Sequence, residues 1–299
     1  MSADATRAYV DAPVTDIDAA ARAAHGAAEH WGFATPVLLR RGMNAIYACD
    51  DVVLRVATPS VSAIASIELA GFLAQQDIRV PEPRRLDVVV DGAMSVTAWE
   101  RITDVPDPVD WAAVGAMVRH VHEVDRRDLP ASVPLPVPSV LPWWDFDVLA
   151  ERAGDALDGA ARIGLAAAVE RHRGWDRFAD TVVCHGDVHP GNVMMSATGP
   201  VLLDWDLLCR APAGWDHGPL MTLHERWGGD AEIASAFARG YGKSFVDDPA
   251  ARAFAELRLV AATLMRVIAG VDDPAARPEA ERRLRYWRGD PDAPSWSAQ

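Results

Sequence analysis

Lysine is almost missing from this chain: Lys243 stands alone beside twenty-eight arginines. Any site that calls for a basic side chain must therefore be read through arginine, whose flat fork grips phosphate bidentately and not as a point charge. Positive charge as a whole is scarce, with 29 basic against 43 acidic residues and a formal net charge of -14. That balance speaks against broad nucleic-acid binding, and it suits a cationic partner where acidity gathers at a cleft. Cysteine is scarce too. Cys49, Cys184 and Cys209 form an odd, unpatterned set that suits a reducing cytoplasm. No uninterrupted run of eighteen apolar residues supports a membrane span. The start, MSADATRAYVDAP, lacks a basic region followed by an apolar core, so secretion is not expected. No internal repeat stands out. What is plentiful is apolar surface: half of the 299 residues are hydrophobic, enough for two lobes with cores of their own.

The chemistry concentrates in residues 185–206, HGDVHPGNVMMSATGPVLLDWD. Thr181 to Cys184 form a short apolar run, and a polar segment broken by Gly186, Pro190 and Gly191 follows. Val193 to Met195 resume the apolar run, Ser196 to Pro200 read as a turn, and Val201 to Leu203 as a buried strand ending on Asp204. Two short strands joined by a tight turn then carry Asn192 at one end and Asp204 at the other. Asp187 lies five residues before Asn192, on a loop held by glycine and proline.

Phosphoryl transfer needs such parts and few others, mostly positioned charge. An acidic side chain orients the acceptor hydroxyl and takes its proton, while hard oxygen ligands hold magnesium against the nucleotide phosphates. Asp187 suits the first task, Asn192 and Asp204 the second. Two rival readings share these residues. The alternation of His185, Asp187 and His189 is compatible with a zinc or iron site, but no third ligand cluster appears. A hydrolase built on Cys184, His185 and Asp204 would need a reactive thiol, and Cys184 sits inside an apolar run.

The pattern HGDxHxxN at 185–192, followed by LLDWD, resembles the aminoglycoside phosphotransferase and choline kinase superfamily, whose members share the protein-kinase-like fold. The resemblance implies a bilobal α+β protein: an antiparallel-sheet lobe with one helix over 1–101, and a mainly helical catalytic and acceptor-binding lobe over 102–299. It implies Asp187 as catalytic base, Asn192 and Asp204 as Mg2+ ligands, and ATP between the lobes. His189 falls where protein kinases carry a lysine near the transferred phosphate, a place equally served by a loop-stabilising histidine.

The amino-terminal half carries weaker echoes of the same family. Arg40 to Tyr47, with Asn44 at its centre, resembles the small-residue turn over the phosphates. Arg55, within the strand pattern Val52 to Val56, stands where the family has a phosphate-binding lysine. Thirteen residues on, Glu68 lies in a helical pattern and resembles the glutamate that pairs with that cation. Ile78 to Pro83 look like a linker, and Val88 to Val90 with Met94 to Trp99 form a hairpin. Trp99, Glu100, Arg101 and Ile102 resemble the connector whose backbone bonds the adenine edge.

Beyond it, Trp111, Val114, Met117, Val118 and Val121 share one helical face, with Asp110 as cap. His122 reads as a buried hydrogen-bonding residue, and Asp216 as the family aspartate that braces the catalytic core. Residues 130–145 are rich in proline and hold Trp143 and Trp144. Further helical patterns fall at about 146–173, 231–240, 250–269 and 275–288. The resemblance thus implies a small-molecule kinase, monomeric or homodimeric, acting on a hydroxylated acceptor such as an aminoglycoside or another amino-containing compound. Choline-like alcohols and sugars stay open. The competing reading is a catalytically weak nucleotide-binding regulatory protein, motivated by Arg55. A protein kinase is the third, and the second half shows little of a peptide platform.

Overall fold

Between Val37 and Glu100 short apolar strands alternate with polar turns. In the computed structural model, which describes residues 11–297, this stretch folds into a five-stranded antiparallel sheet. Residues 1–10 and 298–299 of the expected lobes lie outside the described residues. The strands are β1 (Val37–Arg41), β2 (Ala45–Cys49), β3 (Val52–Ala57), β4 (Val89–Asp91) and β5 (Met94–Glu100), in the order β1-β2-β3-β5-β4. Arg55 therefore sits on the central strand, opposite Ile46 on one side and Thr97 on the other. Its neighbours Leu54 and Val56 point to the opposite, fully buried face.

That buried face is covered by α1 (Ile17–Trp31), which starts on an Asp16 cap and ends at Gly32 in the left-handed region. Ala20, Ala23, Ala24, Ala27 and Trp31 pack on Tyr47, Leu54, Val56, Val96 and Ala98. The small lobe thus has two helices where one was expected, α1 and α2 (Ile64–Gln75). The buried stripe of α1 is built of small alanines ending on Trp31, while Asp18, Arg22, His25, Glu29 and His30 face solvent, so the helix lacks the large apolar residues by which α3 stands out in the sequence.

Helix α2 turns its buried Leu69 and Leu73 away from the sheet, into a cluster with Ile78, Val80 and residues of α3 (Trp111–Glu123). One core therefore runs across the junction between the lobes. The rest of the second lobe comprises α4 (Phe146–Ala153), α5 (Gly159–Arg171), α6 (Gly214–Met221), α7 (Leu223–Trp227), α8 (Glu232–Tyr241), α9 (Pro249–Asp272) and α10 (Arg277–Trp287). The pattern over 146–173 divides into two helices because Gly154 leaves the helical region at φ 51°, ψ -132°. Helices α6 and α7 are short, eight and five residues, and α6 carries Pro219 within it, so neither shows a helical periodicity in the sequence. The proline-rich stretch is anchored by Leu141 and Trp144, the latter 4.4 Å from Trp215 between ring centroids. No helix among the described residues is long and apolar enough to cross a membrane.

Two small antiparallel ladders carry the chemistry-bearing loops. The first pairs β6 (Val182–Cys184) with β9 (Cys209–Ala211), and the second pairs β7 (Val193–Ser196) with β8 (Gly199–Leu202). The fold class is α+β, a sheet lobe followed by a helical lobe, as expected.

Candidate active site

Strand β6 delivers the chain into His185 and Gly186, and both are held from beneath by one carboxylate. Asp216 on α6 accepts the His185 amide at 2.9 Å, the Gly186 amide at 2.8 Å and Nε2 of His122 at 3.0 Å. His122 in turn meets the Tyr241 hydroxyl at 2.9 Å. Burial alone would raise the Asp216 carboxyl, but the hydrogen bond and charge of His122 outweigh it and hold it below its usual value. Gly186 is required sterically: at φ 92°, a Cβ there would lie 2.0 Å from the Leu207 carbonyl oxygen. Asp216 is thus the brace that the sequence suggested, and His122 is its buried partner.

The loop presents Asp187. Asn192, at the foot of β7, directs Nδ2 to the Asp187 backbone oxygen at 2.9 Å and to Asp187 Oδ2 at 3.0 Å. With both amide hydrogens so used, Oδ1 of Asn192 is the atom left for a hard cation. His189 accepts the Gly191 amide on Nδ1 at 3.0 Å, which leaves its protonated Nε2 facing Asp187 Oδ2 at 3.3 Å. It therefore orients the aspartate and the loop. The other oxygen, Oδ1, is met by Nη2 of Arg258 from α9. Burial pushes the Asp187 carboxyl up; the Arg258 guanidinium, with His189 and His185, more than offsets this and holds it well below the usual carboxylate range. Sequence reasoning missed Arg258, which lies 71 residues downstream with no motif around it.

Asp204 follows β8 by two residues, next to Asn192 through the Leu203 amide, which donates to the Asn192 carbonyl at 2.9 Å. Asp204 adopts a left-handed backbone, φ 60°, ψ 72°, uncommon for a residue with a side chain and typical of functional turns. The residue as a whole is exposed. Partial withdrawal from bulk water raises its pKa, Arg55 opposes the rise, and the Asp187 charge adds to it. A carboxylate and an amide oxygen brought to the same end of the β7–β8 ladder, with no sulfur donor, fit magnesium better than a softer metal.

Arg55 reaches this same turn. Its Nη2 bonds Asp206 at 2.5 Å and Asp11 at 3.0 Å. Asn44 joins them: with its amide set to satisfy both ends, Oδ1 accepts from Arg55 Nε at 3.0 Å and Nη2 at 2.7 Å. Burial pushes the Asp11 carboxyl up to about 6, Arg55 opposing and Asp206 adding to it. The expected ion pair between Arg55 and Glu68 does not form. Glu68 is exposed and accepts a hydrogen bond from Ser132 of the second lobe, because the phase of α2 turns it away from β3. Glu100 closes β5 with its amide on the Glu82 carbonyl at 2.7 Å, and half-buried Ile102 follows on the connector.

The rival sites find no support in this geometry. His185 accepts the Asp187 amide on Nδ1 at 3.2 Å and donates Nε2 to the Leu203 carbonyl at 3.0 Å, leaving no nitrogen for a metal. Cys184 is fully buried and burial raises its thiol well above the ordinary value, the opposite of an activated nucleophile. Ligand atoms of His122, Cys184 and Asp216 lie within 4.8 Å of one another. Asp216 and His122 are nonetheless already hydrogen-bonded, and the thiol faces the Ala211 carbonyl at 3.6 Å.

The sequence model of the phosphotransferase enzyme family matches residues 44–260 of this chain. No curated protein matches it in sequence. Solved structures share its fold. Aminoglycoside phosphotransferase APH(3'')-Id from Streptomyces rimosus is 22% identical, with a TM-score of 0.62 over 83% of this chain and 99% of that one. A choline/ethanolamine kinase family protein from Mesorhizobium loti is 18% identical, with a TM-score of 0.61 over 87% and 88% of the two chains. A thermostable mutant of aminoglycoside phosphotransferase APH(4)-Ia, in ternary complex with AMP-PNP and hygromycin B, is 14% identical with a TM-score of 0.66 over 91% and 99%.

Proposed function

Because the chain belongs to the phosphotransferase enzyme family, we propose that it transfers the γ-phosphoryl group of ATP, with magnesium, to a hydroxyl of a small molecule. The observation that carries the reading is the double hydrogen bond from Asn192 Nδ2 to Asp187, which fixes the carboxylate and sets aside the amide oxygen for a cation. Asp187 orients the acceptor hydroxyl and takes its proton as the phosphoryl group departs. Asn192 Oδ1 and Asp204 hold magnesium, which when bound neutralises charge on the phosphates. Arg55 and Asn44 grip phosphate oxygens from the sheet lobe, and the connector backbone from Glu100 to Ile102 recognises the adenine. His189 keeps Asp187 aligned. The sheet lobe spans 1–101 and the acceptor-binding lobe 102–299.

The net charge of -14 favours an amino-containing alcohol as acceptor, aminoglycosides among them. The ternary complex of APH(4)-Ia with AMP-PNP and hygromycin B is in keeping with this class. A second reading, a nucleotide-binding regulatory protein, draws on Arg258 and Arg55, which in this conformation occupy the catalytic carboxylate and the metal-side turn.

Formation of ADP tests both. The purified chain is given ATP and magnesium with aminoglycosides, choline-like alcohols, nucleosides and sugars. Acceptor-dependent turnover is expected, reduced in Asp187→Ala by about 100-fold or more with nucleotide affinity largely kept. Asp204→Ala is expected to weaken magnesium-dependent nucleotide binding itself. Undiminished phosphorylation by both variants would sink the mechanism, and nucleotide binding without turnover on any acceptor would favour the regulatory reading.

A further inference from the structure

We infer that Asp11, ahead of the first helix, is the carboxylate that holds Arg55 in place to take the nucleotide phosphates. The inference rests on Arg55 being the phosphate grip of the proposed reaction. An arginine stem is long and flexible, and a guanidinium at its end binds with useful geometry only when something fixes the fork.

Two carboxylates reach Arg55 Nη2, and their anchorage differs. Asp206 belongs to the turn of the second lobe that also carries Asp204, where metal and phosphate arrive. Asp11 belongs to the lobe of Arg55 itself. The Ala12 amide donates to the Thr58 carbonyl and the Val14 amide to the Met43 carbonyl, each at 2.9 Å. Oδ1 of Asp11 accepts the Ser60 amide at 3.2 Å while Oδ2 takes Arg55 at 3.0 Å. The segment is thereby strapped to both ends of the β2–β3 hairpin, and Asp11 keeps its place beside Arg55 however the lobes move. Phosphate then replaces Asp206 on the guanidinium and leaves the Asp11 bond intact.

Helix α2 offers no alternative. Glu68 is its one acidic residue. The α2 side chain that borders the small pocket next to Arg55 is Ser66, across from Ser95 and Thr97 of β5. Glu68 comes two positions later, roughly 200° around the helix at 3.6 residues per turn, and is bound to Ser132. The pocket holds about 10 Å³, room for about one water and not for a second carboxylate. The strap before α1 has taken over the task that the sequence suggested for Glu68.

Titration of the full chain with a fluorescent ATP analogue in magnesium tests this without knowledge of the acceptor. Asp11→Asn keeps an oxygen for the Ser60 amide but removes the charge, and is expected to weaken binding about tenfold. Asp11→Glu is expected to restore most of it. In turnover, the nucleotide KM should rise while the acceptor KM holds, a split that general loosening of the fold would not produce. Binding within twofold of the parent for Asp11→Asn, with Arg55→Ala clearly weakened, would overturn the inference and leave the phosphate reading standing. Weakening by Glu68→Gln without weakening by Asp11→Asn would return the role to α2. Unchanged binding by Arg55→Ala would remove Arg55 from the phosphate site and take the inference with it.

Discussion

The guanidinium of Arg258 lies against Oδ1 of Asp187, while Asn192 and His189 face Oδ2 of the same carboxylate. The group proposed to accept a proton is thus held as an anion from both sides. A carboxylate so stabilised is a weak base. That suits a loose phosphoryl-transfer transition state, in which orientation of the hydroxyl matters more than early deprotonation. Arg258 comes from α9, far from the hairpin in sequence, and ties that helix to the loop of Asp187.

Removal of Arg258 should therefore appear in the pH dependence of turnover. In the parent, the folded pKa of Asp187 is depressed because Arg258 overcomes the effect of burial. In Arg258→Ala burial is opposed by the histidines and the Asn192 hydrogen bond without the guanidinium charge, so the pKa rises and the protonated, inactive form appears at higher pH. The acid limb of kcat should move upward by about one unit or more, with Arg258→Lys lying between. Coincident acid limbs for parent and alanine variant would show that Arg258 does not set the charge of Asp187.

The contrast between Asn192 and Arg258 shows what the sequence could reveal. Asn192 and Asp204 flank one hairpin and Asp187 lies on the loop that leads into it, so their order and spacing already encode their proximity. The pairs Arg55–Asp11 and Asp187–Arg258 join segments 44 and 71 residues apart, and no local pattern announces them. Glu68 failed for a different reason: the spacing from Arg55 was right, but helical phase, which a two-residue error reverses, was not. Helix α1 buries a stripe of alanines, too small to stand out as a core face, against an exposed face of Asp18, Arg22, His25, Glu29 and His30. Asp216 as a structural brace and His122 as a buried hydrogen-bonding residue were legible one at a time, but their bond to each other, across 94 residues, was not.

Asp216 should be among the least replaceable residues for stability. Oδ1 accepts the Gly186 amide, and Oδ2 accepts both the His185 amide and His122. In Asp216→Asn, whichever end carries the NH2 group faces a buried donor. The loss should be about 2–4 kcal/mol, read as a lower urea midpoint with an unchanged slope. A change below about 0.5 kcal/mol would mean that the loop holding Asp187 does not depend on this brace.

The cysteines supply a test of the whole core that needs no substrate. Cys49, Cys184 and Cys209 are all buried, and none is within a disulfide. Burial raises the Cys184 and Cys209 thiols well above their ordinary value, with the Asp216 charge adding to both, and it raises Cys49 with help from Asp50. Only the thiolate attacks a disulfide reagent, so both access and ionisation oppose labelling. The folded chain should show almost no reaction with Ellman's reagent at pH 8, and all three thiols should react at once in denaturant. Because Cys184 and Cys209 pair across the ladder that feeds His185 into the loop of Asp187, the labelling rate also reports opening of that ladder. Asp216→Asn should accelerate it. Rapid labelling of the folded parent would contradict the buried ladder and reopen the case for a reactive thiol at Cys184.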